Sequence, residues 1–161
     1  MNKKLVEQFM TTPAITCDIE TSIENTIEIL KNNNIGFLPI TKSNILVGVI
    51  TDRDILIRAI GKYDLNTSIQ SIMTSENICF VHPSTPIDEA AEIMANNKIR
   101  RLVVLEDGKV KGVLTSKSIL TEKSLIHYIV KTYQNAYTLP QYEIYTNSNP
   151  HDSIKAEDFP L

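Results

Sequence analysis

Apolar positions along the chain follow two rhythms, and the rhythms come in the same order twice. Ile23, Ile27 and Leu30 recur at helical spacing, as do Ile87, Ala90, Ala91 and Met94. Each helical stretch precedes two short apolar runs, Phe37–Ile40 with Leu46–Ile50 and Leu102–Leu105 with Val110–Leu114, which read as paired strands. Polar turns join the pairs, and Asp107-Gly108 is a strong hairpin signal. A further helix is expected from Asp52 to a cap near Gly61, and its counterpart from Ser116 on through Leu125, Ile126, Ile129 and Val130. Short strands around Ile15 and over Ile78–Val81 precede the first helix of each copy. Thr21 and Thr85 suit N-caps, with Glu24 and Asp88 closing capping boxes and Pro86 at the first helical position. Asn32-Asn33-Asn34 and Asn96-Asn97 suit helix ends, because Asn tolerates left-handed backbone.

The recurrence is a duplication. "TSIENTIEILKNNNIGFLPITKSNILVGVITDRDIL" from Thr21 aligns without a gap on "TPIDEAAEIMANNKIRRLVVLEDGKVKGVLTSKSIL" from Thr85, with about a third of positions identical. Each unit is β-α-β-β-α, and one alone would leave a sheet face exposed. The expected fold is therefore α+β, two units packed about a pseudo-twofold axis. The first is set at residues 5–66 and the second at 67–136, followed by an irregular or docked extension over 137–161. Five of the six tyrosines lie between Tyr128 and Tyr145, and Tyr142 and Tyr145 suit docking or an inter-subunit contact.

Composition narrows the function. Hydrophobic residues make up 42% of the 161 and charged residues 22%, which is globular rather than disordered. A net charge of −3 argues against nucleic-acid binding by bulk charge but leaves room for a local basic pocket. No apolar run approaches the roughly 18 residues of a membrane span, and Glu7 and Gln8 break any signal-peptide pattern. Cys17 and Cys79 are too few for a disulfide framework or a metal quartet and read as small buried hydrophobes of a cytoplasmic protein. His82, His127 and His151 show no ligand spacing, and no nucleophile motif is present, so neither a catalytic residue nor a metal site is assigned.

The polar run Thr51-Asp52-Arg53-Asp54, where a strand meets a helix, carries two readings. Thr51 and Asp54 make a capping box. The same junction exposes helix N–H groups that attract anions, with Thr51 able to donate to a phosphate and Asp54 able to accept from two ribose hydroxyls. In the second copy Thr115 is kept but Ser118 replaces the acid, so that acceptance is lost.

Met10-Thr11 and Met73-Thr74 at the start of each unit, "IGFLPI" with "VGVITDRDIL", and "IRRLVVL" with "KGVLTSKSIL" resemble the tandem CBS domains of a Bateman module. The resemblance covers about Leu5 to Ile126. It implies a non-catalytic regulatory module that binds an adenosine-containing ligand between the repeats. The ligands implied are AMP, ADP, ATP, a cyclic dinucleotide, S-adenosylmethionine or NAD, with no other cofactor. It further implies a homodimer and an effector protein acting in trans. On the family pattern Thr51 and Asp54 hold phosphate and ribose, and Thr16, Gly36, Phe37 and Pro39 wall the adenine. Arg101 and Lys117 clamp phosphates, and Arg53, Thr115 and Ser118 belong to a second, weaker cleft. The alternative is a ligand-independent dimerisation or protein-interaction module.

Overall fold

The computed structural model describes residues 3–120, 122 and 125–136. Strand β2 (Phe37–Lys42) turns back into β3 (Ile45–Thr51), and β5 (Arg101–Glu106) into β6 (Lys109–Thr115). Both turns need positive φ at two successive residues. Ser43 and Asn44 supply it in the first (52° and 66°), Asp107 and Gly108 in the second (52° and 73°). Each hairpin gains a short parallel edge strand, β1 (Cys17–Asp18) beside β2 and β4 (Phe80–Val81) beside β5. The sheet order β1-β2-β3-β6-β5-β4 reads the same from either end, with Ile45 paired to Lys109 at its centre. The mixed α+β fold expected from the duplication is the fold observed.

Helix α1 (Ile23–Asn32) buries Ile23 and Leu30 against Leu38, Ile40 and Ile50 of the first hairpin. Helix α3 (Ile87–Asn97) buries Ala90, Ala91 and Met94 against Leu102, Val104 and Leu114 of the second. The caps differ from the expected ones by one residue. Ser22 caps α1, accepting from Asn25 N at 3.1 Å, and Pro86 occupies the cap position of α3. Thr21 and Thr85 lose the role because other segments satisfy the first helical N–H groups. Ile23 N donates to Thr67 O, Glu24 N to Leu65 O, and Ile87 N to Lys4 O. Left-handed Asn34 follows the end of α1 and left-handed Lys98 ends α3. Helix α2 (Asp52–Arg58) stops short of Gly61, which takes positive φ in the following turn.

Each repeat is completed by a segment that precedes the other. Val6, Phe9 and Met10 pack in the core of the second repeat, while Ile69, Ile72 and Met73 pack in that of the first. Thr11 exchanges two backbone hydrogen bonds with Val113 of β6 (2.9 and 3.1 Å), and Thr74 exchanges two with Val49 of β3 (both 2.9 Å). These arms explain two glycines. A Cβ on Gly112 would sit 2.8 Å from both Met10 Sδ and the Thr11 carbonyl oxygen; one on Gly48 would sit 2.5 Å from Met73 Sδ. The Met-Thr pairs and the strand glycines, far apart in sequence, are two sides of one contact.

The expected helix from Ser116 is corrected. Residues 116–120 form successive turns, and helix α4 (Ile126–Ala136) begins ten residues later. The Ser118 hydroxyl donates to Thr115 O at 2.8 Å, taking the carbonyl that an α-helix would use first. Helix α4 packs on α3 with Leu125 and Ile129 buried in the second core. Tyr142, Tyr145 and the extension over 137–161 lie outside the described residues.

Burial pushes the Cys17 thiol above its ordinary pKa, leaving it protonated and inert, whereas Cys79 is partly exposed; both are free thiols. Among the described residues no helix is long and apolar enough to cross a membrane, and no group of His, Cys, Asp or Glu could hold a metal.

Candidate functional site

Strand β2 of the first repeat and the β5–β6 hairpin of the second open onto a cavity of about 570 Å³, a size suited to a nucleotide. One side is apolar. Pro13, Ala14 and Ile15, which lead into β1, face Ile35 and Phe37 there. The other side is basic: Arg100, Arg101 and Lys117 line it together with Thr115 and Ser116, and among the described residues no carboxylate lines the cavity.

The duplication explains where the cations stand. Gly36 and Phe37 are the sequence counterparts of Arg100 and Arg101. Across the pseudo-axis the Arg101 guanidinium lies 5.9 Å from the Phe37 ring centroid. Gly36 leaves room for the Asp52 carboxylate beside it, since a Cβ there would come within 2.7 Å of Asp52 Oδ2, while Arg101 Nη2 would stand at ordinary contact, 3.4 Å. Burial, then the charge of Arg100, pulls the Arg101 pKa below its ordinary value, and the carboxylate of Asp52 partly opposes this. The ligand-free protein thus holds two guanidiniums close together in a half-dry site, an arrangement that an anion relieves.

Of the residues proposed from sequence, Gly36, Phe37, Arg101, Lys117 and Thr115 line this cavity. Thr16 does not, although its neighbour Ile15 does. Pro39 is buried within β2, opposite Val49. Thr51, Arg53 and Asp54 stand at the symmetry-related junction, away from the cavity lining. The cavity therefore joins the apolar wall of the first repeat to the Thr115 junction of the second, and the Asp54 carboxylate does not line it.

Asp54 is occupied where it stands. Its Oδ2 accepts from Thr51 N (3.0 Å) and Thr51 Oγ (2.7 Å), so the capping box forms and the Thr51 hydroxyl proton points to Asp54. Its Oδ1 pairs with Arg58 Nη2 at 3.0 Å, and Arg58 Nη1 reaches Ile72 O and Thr74 Oγ of the exchanged arm. Ser118 repeats only the local part: its hydroxyl accepts from Thr115 N at 3.1 Å and has no second oxygen to offer. Exposed Arg53 does not line the cavity.

Among the lining residues outside the sequence-based site are Arg100 and Tyr133, and the Arg100 guanidinium sits 5.7 Å from the Tyr133 ring centroid. Tyr133, on α4, also lines the cavity. A hydrogen bond with Ser116 does most to lower its phenol pKa, against burial, and a hydrogen bond and charge from Arg100 add to it. The adjacent arginines and the clustered tyrosines were the available signals, but nothing local says that one meets the other.

A CBS domain family model matches residues 6–61 and again residues 69–125. The chain belongs to the CBS domain family. The CBS domain-containing protein YhcV of Bacillus subtilis (strain 168) is 28% identical over 110 residues, which are 68% of this chain and 78% of YhcV. The inosine-5′-monophosphate dehydrogenase of Korarchaeum cryptofilum (strain OPF8) is 33% identical over 122 residues, 75% of this chain but only 25% of that enzyme. Among solved structures, the CBS domain pair of protein MJ0100, in complex with 5′-methylthioadenosine and S-adenosyl-L-methionine, superposes with a TM-score of 0.66 at 32% identity. The match covers 73% of this chain and 94% of that one. The CBS domain protein PAE2072 from Pyrobaculum aerophilum, complexed with AMP, superposes at 0.69 with 24% identity over 79% and 98% of the two chains, a likeness of fold.

Proposed function

We propose that this CBS pair is a regulatory module that takes a phosphate-bearing adenosine ligand in the cavity between its repeats and signals to a separate protein. The observation that carries the reading is the cavity's division into an apolar wall and a face of three cations without a carboxylate. An adenine ring fits the slot between Ile15 and Phe37, and phosphates fit Arg101 as a planar fork and Lys117 as a point charge. The likeness to MJ0100, which holds two adenosyl compounds, supports the adenosine part. The charge separates the two chains' preferences: a sulfonium cation gains nothing beside three cations, whereas a phosphate does. By the pseudo-symmetry we assign Thr51 and Asp54 to a second cleft, and free cysteines suit the cytoplasm.

Thermal unfolding with AMP, ATP, NAD, a cyclic dinucleotide and S-adenosylmethionine tests the reading. A phosphate-bearing ligand at a hundredfold excess over its Kd adds about 2.7 kcal/mol of stability, while S-adenosylmethionine shifts the midpoint least. A midpoint that none of the five moves would refute ligand sensing and leave the interaction-module reading. Recovery of a partner protein that is the same with and without nucleotide would refute signalling in trans.

The proposed partner on the helical face is a second copy of the chain. Leu56, Ile57 and Ile60 on and after α2, and Ile126 and Val130 on α4, are exposed although large and apolar. One such ridge on each repeat provides a surface that can meet itself across a twofold. Light scattering should give a dimer for the wild type and a monomer for the double variant Ile57→Glu/Ile60→Glu; a wild-type monomer would count against it.

A further inference from the structure

Helix α4 follows the family-matched residues, which end at 125, and it sends one side chain back into the cavity. Tyr133 is tied there twice, through Ser116 and through Arg100, whose guanidinium also lies over its ring at 5.7 Å. One turn back on the same face, Ile129, with Leu125 just before the helix, seats α4 in the second core, and the buried Thr132 hydroxyl donates to Tyr128 O of the same helix at 2.9 Å. The phenol oxygen is a neutral acceptor. A phosphate in the same cavity offers charged oxygens, and hydrogen bonds to charged oxygens are roughly twice as strong. The two acceptors compete for one guanidinium.

We propose that Tyr133 and Arg100 form a latch that an anionic ligand opens: the ligand draws Arg100 into the cavity and frees the C-terminal half of α4. The inference rests on the reading of the cavity as an anion site. It gives α4, which the duplication does not produce, the task of carrying occupancy out of the cleft. Because a ligand that draws Arg100 away must break its contact with Tyr133, the effect is reciprocal. Removing the phenol oxygen must then tighten ligand binding, the opposite of what the loss of a ligand contact would do.

The test is calorimetric titration of the full chain with ATP, comparing wild type with Tyr133→Phe. This variant keeps the ring under Arg100, and Tyr133 is 40% exposed, so the fold tolerates it. The expected result is an ATP Kd roughly two- to tenfold lower in the variant, the worth of one hydrogen bond released from competition. Hydrogen exchange at amides 133–136 should quicken several-fold when ATP saturates the wild type and should already be fast in ligand-free Tyr133→Ala. If the wild type binds ATP but Tyr133→Phe binds it equally or more weakly, or α4 exchange slows on binding, the latch is overturned and the anion site stands. If the wild type binds no ATP, both fall.

Discussion

Arg101→Ala weakens ATP binding by roughly 10- to 150-fold, the worth of a hydrogen-bonded charge on a partly desolvated anion, yet leaves the ligand-free protein within about 1 kcal/mol of wild type. The two halves of this expectation have one cause. In the ligand-free protein Arg101 is half-buried and repelled by Arg100, while its contact with Phe37 and the fields of Asp52 and Tyr133 favour it. Removing it discards those attractions together with the repulsion and the desolvation, and the effects largely cancel. With a phosphate present the same desolvation strengthens the attraction. Arg101→Lys keeps the charge without the fork and falls between wild type and Arg101→Ala. Calorimetry gives the affinities and thermal unfolding without ligand gives the stabilities. A variant that binds ATP as the wild type does, or one that unfolds without ligand, would remove Arg101 from the site.

Gly112→Ala should lower stability by about 1–3 kcal/mol, and Gly48→Ala should cost less. The built Cβ at Gly112 meets the Thr11 carbonyl oxygen at 2.8 Å, and that oxygen accepts from Val113 N at 3.1 Å. The backbone cannot step aside without stretching the bridge that seats the N-terminal arm. At Gly48 the nearest atom is the Met73 sulfur, at 2.5 Å, and the carbonyl of Thr74 stands farther off at 3.2 Å. A thioether can rotate away. Met73→Ala should therefore recover part of the loss in Gly48→Ala, whereas Met10→Ala should recover little in Gly112→Ala. Denaturant melts of the four variants give the order; equal losses at the two glycines would mean that the backbone contact does not set the requirement.

Local rules were enough for the elements and failed where a distant segment intervened. The helical spacing of Ile23, Ile27 and Leu30 and the Asp107-Gly108 turn each depend on neighbours along the chain, and both appear as expected. Thr21 was a sound N-cap by composition, but Leu65 and Thr67 supply carbonyls to the same helix end. The run after Ser116 had a helical pattern that one serine hydroxyl diverts. The cavity divides in the same way. Gly36, Phe37, Arg101, Lys117 and Thr115 could be singled out because comparison of the two copies exposes each of them. The sequence-based site joined Phe37 and Asp54 of the first repeat to Arg101 and Lys117 of the second, but Phe37, Arg101 and Lys117 line the cavity without Asp54. The pseudo-twofold instead sets the wall of one repeat against the junction of the other, and no spacing within a repeat encodes that. Tyr133 lies past the aligned stretches of the two copies, so comparing the copies could not reveal it.

The exchanged arms also order events during synthesis. The first repeat lacks Ile69, Ile72 and Met73 until the chain has grown past them, so its core cannot close when Gly61 emerges. Val6, Phe9 and Met10 leave the ribosome ahead of both repeats, but their seat is built of residues from Val81 to Ile129. This arm must therefore wait with its apolar side uncovered until nearly the whole second repeat has followed, and the second core, unlike the first, which lies within residues 17–73, cannot be cut out as one contiguous piece of the second repeat.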